Sequence, residues 1–346
     1  MRQGPTRKHT LALAAMAGVA VLSNAALAES LEQHFKGKQI KLISSSDVGG
    51  GYDASARLLA RFMVNHIPGS PQIVVQNMPG AGGIKAANYL YNVAPKDGLT
   101  LGGVHRTVPQ APQLGLPGTQ FDASKFNWLG SMNNEVSVCI AWHEAPVKTI
   151  EEAMTKTLIV GGSGANDTEQ FPAVLNNIID TKFKVISGYP SGTAVGLAME
   201  RREVDGRCGW SWSSVVTQQS DWLRDKKVNI LLQISLQKHP DLPDVPLVMD
   251  YAKTDQDKLV LEFLFARQIM GRPFLAPPGV SPDIVAALRK GFDDAVKDPA
   301  LIAEADKQKQ ELTPVSGIAV QNLVEKLLKT PKEVVAIADK ATELKK

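Results

Sequence analysis

Two glycine-rich segments, each placed between a short apolar run and a helical pattern, constrain this chain more than any other feature. The first covers residues 44–53 (SSSDVGGGYD), and the second covers residues 77–83 (NMPGAGG). A strand that ends in glycines and turns into a helix leaves unpaired backbone N–H groups at the positive end of the helix dipole. Each segment therefore predicts a binding site for an anion, either the phosphate of a cofactor or the carboxylate of a free ligand.

The N-terminus has the three parts of an export signal. A basic start within the first eight residues precedes a run, 11–27, that is nearly all apolar or small and that ends in Ala26-Leu27-Ala28. This arrangement predicts a signal peptide, residues 1–28, that is cleaved after Ala28. An uncleaved membrane anchor is the alternative, and it is disfavoured because the segment is short for a bilayer span.

Removal of the signal peptide lowers the net charge of the chain, and the net charge bears on which partners are expected. The precursor has 38 Lys and Arg against 35 Asp and Glu, and its excess comes from three basic residues within the signal. The mature chain would have 35 of each kind. This balance gives no electrostatic reason to expect a nucleic acid or an anionic membrane as a partner.

The length of the chain indicates more than one structural unit. Cleavage leaves 318 of the 346 residues, which exceeds what one hydrophobic core usually supports, so two lobes are expected. Two cysteines, Cys139 and Cys208, are too few for a metal signature. In an oxidising compartment they could form a disulfide, and two buried free thiols are an equally open interpretation.

Strand and helix patterns alternate along the chain. Apolar strands at 39–43, 73–75 and 99–104 are separated by helical spacing that starts after each glycine segment, and this βαβαβ order is typical of a doubly wound sheet. The same alternation resumes from 136 to 232. The Pro-rich tail then changes to long amphipathic helices, which need a sheet face to cover.

These patterns predict an α/β protein with two lobes and a cleft between them. Lobe 1 comprises residues 29–135 and 233–346, and lobe 2 comprises residues 136–232. The division rests on the expectation that the tail helices return to the first lobe, since its sheet has few helices after it.

Loops that follow strands gather at the carboxyl edge of a sheet, where ligands bind in open α/β folds. Loops 44–53, 79–83, 161–168 and 187–193 would all face the cleft. Each charge-assisted hydrogen bond contributes about 1.5–3 kcal/mol, and micromolar binding requires about 8 kcal/mol. About three to five such bonds, shared between the lobes, would therefore hold a carboxylate.

Several side chains near these loops have both a structural and a functional interpretation. Asp53 precedes Arg57 by four residues, so it can form an ion pair within the helix, fix the loop, or meet a polar group of the ligand. Tyr52 could line the pocket or cover a helix. Arg106 follows the third strand, and it could clamp a second carboxylate or form a solvated surface pair. Arg207 has the same two interpretations.

Motifs for catalysis and for cofactors are missing from the sequence. No two His residues have the spacing of metal ligands, and no G-x-S-x-G nucleophile motif occurs. The glycine segments lack the G-x-G-x-x-G spacing, and neither is followed by Gly-Lys-Ser or Gly-Lys-Thr. We therefore expect no cofactor, no metal ion and no enzymatic activity.

Three segments together resemble a known family of exported proteins. Residues 50–57 (GGYDASAR), 75–83 (VQNMPGAGG) and 95–101 (PKDGLTL) have the order and separation found in the periplasmic solute-binding proteins of tripartite tricarboxylate transporters, also called Bug receptors. The resemblance extends over nearly the whole mature chain through four later segments. These are 188–192, 203–206, 242–246 and 277–280.

The resemblance implies a two-lobed periplasmic binding protein fold, or Venus flytrap, with a type II-like organisation. It implies a receptor in the periplasm that binds a small carboxylated solute and delivers it to a membrane permease of one large and one small subunit. In this family, backbone amides and hydroxyls of loops in both lobes hold the carboxylate of the ligand.

The cleft argument and the resemblance together predict ligand-binding residues in both lobes. From lobe 1 they are Ser45, Gly49, Gly50, Gly51, Tyr52, Asp53, Gly80, Ala81 and Arg106. From lobe 2 they are Ser163, Gly164, Thr168, Tyr189, Ser191, Gly192, Thr193 and Asp205.

Some positions depart from the common pattern of the family. Ser46-Asp47-Val48 stands where an aromatic residue and Pro usually precede the first glycines, and Asp47 would repel an anion if it pointed inward. Asn166-Asp167 stands where small residues are common. His105-Arg106 and the segment 210–213 (WSWS) also differ from the commonest form. These differences bear on the identity of the ligand and leave its class unchanged.

The prediction is therefore a monomeric, non-enzymatic, exported receptor for a small carboxylate. Two alternatives remain open at this point. One is an exported α/β enzyme that acts on a small carboxylated substrate in the same cleft. The other is a receptor that reports to a signalling protein rather than to a transporter.

Overall fold

The computed structural model describes residues 30–344, and the predicted signal peptide lies outside this range. Within it, a six-stranded sheet and a five-stranded sheet carry helices on their faces, which is an α/β architecture. No helix among residues 30–344 combines the length and the apolar character that a bilayer crossing requires.

The first sheet begins with the βαβαβ order that the sequence predicts. Strands β1 (Gln39–Ser44), β2 (Gln72–Asn77) and β3 (Thr100–Gly103) are parallel and lie in the order β2-β1-β3. The crossover helices are α1 (Gly51–Met63) and α2 (Ile84–Asn92). The glycine segments lie between a strand and a helix, so both loops emerge at the carboxyl edge of this sheet.

Later parts of the chain complete the first sheet with antiparallel strands. Strand β10 (Pro273–Ala276) lies between β3 and β4 (Asn127–Ser131) and is antiparallel to both. Strand β11 (Val315–Ser316) pairs with the outer side of β4. The insertion of β10 brings the residues just before it, at 267–272, next to the loop that follows β3.

The second sheet has the order β7-β6-β8-β5-β9. Strand β6 is parallel to β7 and β8, whereas β5 is antiparallel to β8 and β9. The strands are β5 (Ser137–Trp142), β6 (Leu158–Gly161), β7 (Phe183–Ile186), β8 (Gly206–Ser211) and β9 (Val228–Ile234).

Five helices accompany the second sheet in the described range. Helix α4 packs against β8 and β7, and α5 packs against β8. The helices are α3 (Ile150–Thr155), α4 (Asp167–Ile178), α5 (Gly192–Glu200), α6 (Trp212–Gln218) and α7 (Ser220–Arg224).

A disulfide joins two neighbouring strands of the second sheet. Cys139 in β5 is bonded to Cys208 in β8. The sequence left open whether the two thiols pair, and the structure has them paired. Structural disulfides form and persist in oxidising compartments, which agrees with an exported protein.

The helices of the tail contact both units of the protein. Helices α9 and α10 pack on α1, and α9 and α11 also pack on β4 of the first sheet. Helix α12 instead packs on α8 and on α4 of the second unit. The tail helices are α8 (Asp255–Phe265), α9 (Pro282–Ala295), α10 (Pro299–Lys307), α11 (Gly317–Leu328) and α12 (Lys332–Ala341).

One hydrophobic cluster runs continuously from the first unit into the second. It contains Trp128 from β4, Phe265 from α8 and Phe171 from α4, all of them buried. The rings of Phe171 and Phe265 meet edge to face, with their centroids 5.0 Å apart. Packing of this kind adds about 0.5–1.5 kcal/mol beyond the buried area and fixes the tail against α4, beside the cleft.

Candidate ligand-binding site

A cavity of about 240 Å³ lies where the loops of the two sheets meet. Segments from both sheets and from the tail line it. Its lining residues fall within 45–52, 79–83 and 105–106 from the first sheet, and within 163–168, 190–193 and 207–218 from the second, together with Arg272 from the tail. A space between the loops is therefore present where the sequence predicts the cleft.

Most of the predicted ligand-binding residues line this cavity. They are Ser45, Gly50, Gly51, Tyr52, Gly80, Ala81, Arg106, Ser163, Thr168, Ser191, Gly192 and Thr193. Five predicted residues do not line it. These are Gly49, Asp53, Gly164, Tyr189 and Asp205. Asp205 accepts a hydrogen bond from the backbone N–H of Ile159, so its carboxylate is engaged within the second sheet.

Asp53 stabilises the first glycine loop through hydrogen bonds and does not line the cavity. Its carboxylate accepts hydrogen bonds from Gly49 N and Arg57 Nε, both at 2.9 Å, and from Asn77 Nδ2 at 2.7 Å. Burial alone would raise the pKa of Asp53, but the hydrogen bonds from Arg57, Gly49 and Asn77 hold it below its usual value. Asp53 therefore combines the ion pair and the loop-fixing function that the sequence suggests.

The first turn of α1 opens onto the cavity. Its N-cap is Gly50, which has no side chain to accept from the N–H groups of the turn. Gly51 and Tyr52, the first two residues of the helix, both line the cavity. Backbone N–H groups at an uncapped helix start bind anions well, so this wall of the cavity suits a carboxylate.

In the second sheet, backbone amides of the loop after β6 are already hydrogen-bonded within the protein. Ser163 N donates to Thr168 Oγ1 at 2.9 Å, and Gly164 N donates to Glu169 Oε1 at 2.8 Å. The N-cap Asn166 accepts from Thr168 N at 2.9 Å. Side chains thus satisfy amides that the sequence argument leaves free for a ligand.

Two neighbouring serines, one at the end of β1 and one just after it, lead into the glycine loop, and only the second lines the cavity. The hydroxyls of Ser44 and Ser45 are both buried, and neither has a hydrogen-bond partner within the described part of the chain. Ser45 lines the cavity and Ser44 does not. A buried hydroxyl without a partner costs free energy, so Ser45 is available to a ligand acceptor.

Arg106 is committed to an ion pair inside the protein. It is 1% exposed, and its Nη2 lies 2.5 Å from Asp167 Oδ2. It also donates to Ser137 Oγ at 2.7 Å and to Ser211 Oγ at 3.1 Å. All three partners belong to the second unit, so Arg106 connects the loop after β3 to that unit. The alternative interpretation of Arg106 as part of a solvated surface pair is therefore wrong.

Asp167, in the first turn of α4, binds two arginines at once. Its Oδ1 lies 2.8 Å from Arg267 Nη2 of the tail, while Oδ2 faces Arg106. Burial would raise the pKa of Asp167, but the charges of Arg106 and Arg267 hold it below its usual value. The carboxylate is therefore ionised at neutral pH, and it neutralises one of the two guanidinium charges.

Arg272 is a cavity residue that sequence reasoning missed. It lies just before β10, 4.6 Å from the ring centre of Tyr52, and its Nη2 is 3.2 Å from Glu135 Oε2. It also donates to Ser211 Oγ and Ser214 Oγ. No local motif marks it, because only the insertion of β10 beside β3 brings it to the cleft.

Arg207 has no carboxylate partner among residues 30–344. It is 9% exposed, donates from Nη1 to Gly192 O at 2.9 Å, and lies 4.0 Å from the ring centre of Trp210. Its Nε has no hydrogen-bond partner. Burial lowers the pKa of Arg207 to about 9, against the opposing charge of Asp167. It lines the cavity as a buried cation.

His105 closes one side of the cavity as a neutral ring. It stacks on Tyr52 with the ring centres 4.3 Å apart. Burial, with the charges of Arg106 and Arg272, lowers the pKa of His105 to about 4 against the opposing charge of Asp167. His105 is therefore uncharged at neutral pH and adds no positive charge to the site.

Comparison with curated proteins finds one relative over part of the chain. The UPF0065 protein in the gbd 5′ region of Cupriavidus necator is 30% identical over 156 residues, which cover 42% of this chain. The match spans 44% of that relative's length. No protein-family model matches the chain.

Several solved structures share the fold over nearly their whole length. The periplasmic binding protein BugD has a TM-score of 0.69 at 19% identity, covering 88% of this chain and 97% of its own. MatC from Rhodopseudomonas palustris with bound malate has a TM-score of 0.66 at 21% identity, covering 86% and 99%. The R. palustris protein Rpa4515 with adipate has a TM-score of 0.68 at 16% identity, covering 87% and 97%. This chain thus has the two-lobed α/β fold of periplasmic binding proteins.

The buried ion pair of Arg106 predicts a large stability effect. Replacement of Arg106 by Ala should lower the free energy of unfolding by about 1–3 kcal/mol, because the carboxylate of Asp167 loses one of its two cations and the buried hydroxyl of Ser137 loses its donor. Urea denaturation at neutral pH measures the change.

Arg61→Ala is the matched control for this substitution. Arg61 forms an exposed pair with Glu304, with 2.9 Å between Nη2 and Oε1, and such pairs contribute about 0–1 kcal/mol. If both variants lost the same small amount, Arg106 would not hold the two units together in the way described.

Proposed function

We propose that this protein is an exported receptor that captures a small carboxylate in the cavity between its lobes and delivers it to a membrane transporter. The observation that carries the proposal is a cavity of about 240 Å³ lined by hydrogen-bond donors that the described chain does not fully use. They include the open first turn of α1, the hydroxyl of Ser45 and the guanidinium of Arg207, which has one acceptor, Gly192 O, and no carboxylate partner.

The comparisons support a carboxylate as the ligand. Two proteins with this fold carry dicarboxylates, malate in MatC and adipate in Rpa4515. Together with the sequence motifs at 50–57 and 75–83, they support placing this chain among the Bug-type receptors of tripartite tricarboxylate transporters. The large and small permease subunits would then be its partners, and the receptor would act as a monomer.

Location in the periplasm has three supports. The signal-like N-terminus predicts export, the Cys139–Cys208 disulfide suits an oxidising compartment, and BugD is described as periplasmic. The division into lobe 1 (29–135 and 233–346) and lobe 2 (136–232) is part of the same proposal. Loops from both lobes would hold the ligand, so binding would favour the closed form.

The cavity chemistry favours a receptor over an enzyme. One of its two carboxylates, Asp167, is bound by two arginines and is not free to act as a base. The other, the side-chain carboxylate of Asp47, accepts no hydrogen bond from a hydroxyl that lines the cavity within residues 30–344. His105 stacks on Tyr52, and no hydroxyl that lines the cavity donates to it within residues 30–344. A nucleophile next to a base, the arrangement that covalent catalysis needs, is therefore not assembled in the described site.

A thermal-shift panel tests the function. Monocarboxylates, dicarboxylates, tricarboxylates and aromatic acids should include at least one that raises the melting temperature by several degrees, since a ligand at 100 times its Kd stabilises a protein by about 2.7 kcal/mol. NMR of the same mixture should show the ligand unchanged. The proposal is wrong if only neutral or cationic solutes shift the transition, or if the ligand is consumed.

The two adjacent serines provide a matched pair of variants. Ser45→Ala should weaken binding of the carboxylate found in the panel by about tenfold or more, because a hydrogen bond to a charged group contributes about 1.5–3 kcal/mol. Ser44→Ala removes an equally buried, equally unpartnered hydroxyl outside the cavity, and it should leave the affinity unchanged. Isothermal titration calorimetry measures both. If the two variants changed the affinity equally, Ser45 would not be part of the binding site.

A further inference from the structure

We propose that the ligand is a dianion and that Arg207 holds its second anionic group. This inference rests on the proposed receptor function and names the class of solute that the same cavity takes. Of the two arginines that the sequence allows as a clamp, Arg106 and Arg207, it selects Arg207.

The charges buried around the cavity do not balance among the described residues. Four arginines face only two buried carboxylates, which leaves an excess of two positive charges. The arginines are Arg106, Arg207, Arg267 and Arg272, and the carboxylates are Asp167 and Glu135. An uncompensated buried charge is costly, so the cluster is expected to be completed by an anion that carries two charges.

The other charged and titratable groups near the cavity do not restore the balance. Asp47 lines the cavity and Glu169 lies beside the loop after β6, but both are partly exposed, so water and salt screen their charges. Asp53 is paired with Arg57, and these two charges cancel. His105 is neutral at neutral pH because burial lowers its pKa to about 4.

Three of the four arginines already have carboxylate partners. Arg106 and Arg267 share Asp167, and Arg272 pairs with Glu135. Arg207 has the carbonyl of Gly192 as its hydrogen-bond acceptor, and its Nε has none. Among the arginines that line the cavity, Arg207 is therefore the one whose charge no carboxylate of the described residues compensates, and its guanidinium is left for an incoming anion.

The ring of Trp210 holds the guanidinium of Arg207 in a fixed plane. The distance of 4.0 Å from the guanidinium carbon to the ring centre is that of a close cation–π contact. Stacking occupies a face of the guanidinium, whereas its N–H donors project from the edge in a fork that fits a carboxylate. The residue is thus oriented before the ligand arrives, which lowers the entropy cost of binding.

The two anion sites belong to different parts of the molecule. The first turn of α1 and Ser45 follow β1 of the first sheet, whereas Arg207 lies in β8 of the second. A dianion held by both would bridge the sheets across the cavity. A monoanion would satisfy only one of them, so the second carboxylate decides both affinity and closure.

Matched pairs of acids and variants test the inference by isothermal titration calorimetry. Succinate against butanoate, and adipate against hexanoate, keep the carbon number and remove one carboxylate. For the wild type, the best dicarboxylate should bind about 100-fold more tightly than its partner acid. Arg207→Gln should remove most of that preference and leave the monocarboxylate affinity within about threefold.

A control and a conservative variant keep the result interpretable. Arg224→Gln removes an exposed arginine of the same unit, paired with Asp225, and should leave both affinities unchanged. Arg207→Lys keeps the charge without the fork, so it should give an intermediate preference. If Arg207→Gln does not fold, the preference measured for Arg207→Lys still tests the role of Arg207.

The outcomes separate this inference from the receptor proposal. Equal wild-type affinity for both acids of each pair, or an equal loss for both acids in Arg207→Gln, overturns the dianion assignment and leaves a carboxylate receptor in place. If the wild type binds no carboxylate at all, the receptor proposal fails and the inference fails with it.

Discussion

The double ion pair of Asp167 is the interaction on which the rest of the site depends. It joins the first turn of α4 to Arg106, which follows β3, and to Arg267, which lies in the tail. Three distant parts of the chain therefore meet at one buried carboxylate. Removal of either arginine would break one of the two buried contacts that join these segments, and the pair of contacts fixes the loops around the cavity in one arrangement.

The two sides of the cavity offer different groups to bind an anion. On the first sheet, α1 begins at Gly50 with no side-chain cap, so its backbone donors remain open. On the second sheet, Thr168 and Glu169 occupy the amides of the loop after β6, and the positive charge comes from Arg207 instead. An anion that spans the cavity thus meets backbone dipoles at one end and a guanidinium at the other.

Local sequence patterns predict the parts of the structure that local interactions determine. The apolar spacing of residues 39–104 predicts the βαβαβ order, and the glycine segments predict the loops that line the cavity. The same reasoning expects Asp205 to bind ligand, but its carboxylate accepts from Ile159 N instead. Neighbours in sequence do not reveal such a partner 46 residues away.

The features that sequence reasoning missed all depend on contacts between distant segments. Strand β10 enters the first sheet in antiparallel pairing between β3 and β4, and a short run such as 273–276 (PFLA) carries no sign of that position. Its insertion brings Arg272 to Glu135 and Tyr52. Arg106 is predicted to reach the ligand, yet a residue 61 positions further along the chain, Asp167, engages its guanidinium.

The most direct test of this account is a crystal structure of the protein with the tightest-binding dicarboxylate of the calorimetric series. The account predicts one carboxylate at the first turn of α1 and the hydroxyl of Ser45, and the other within hydrogen-bond distance of the Arg207 guanidinium. A ligand bound outside this cavity, or one whose carboxylates both avoid Arg207 and the start of α1, would contradict it.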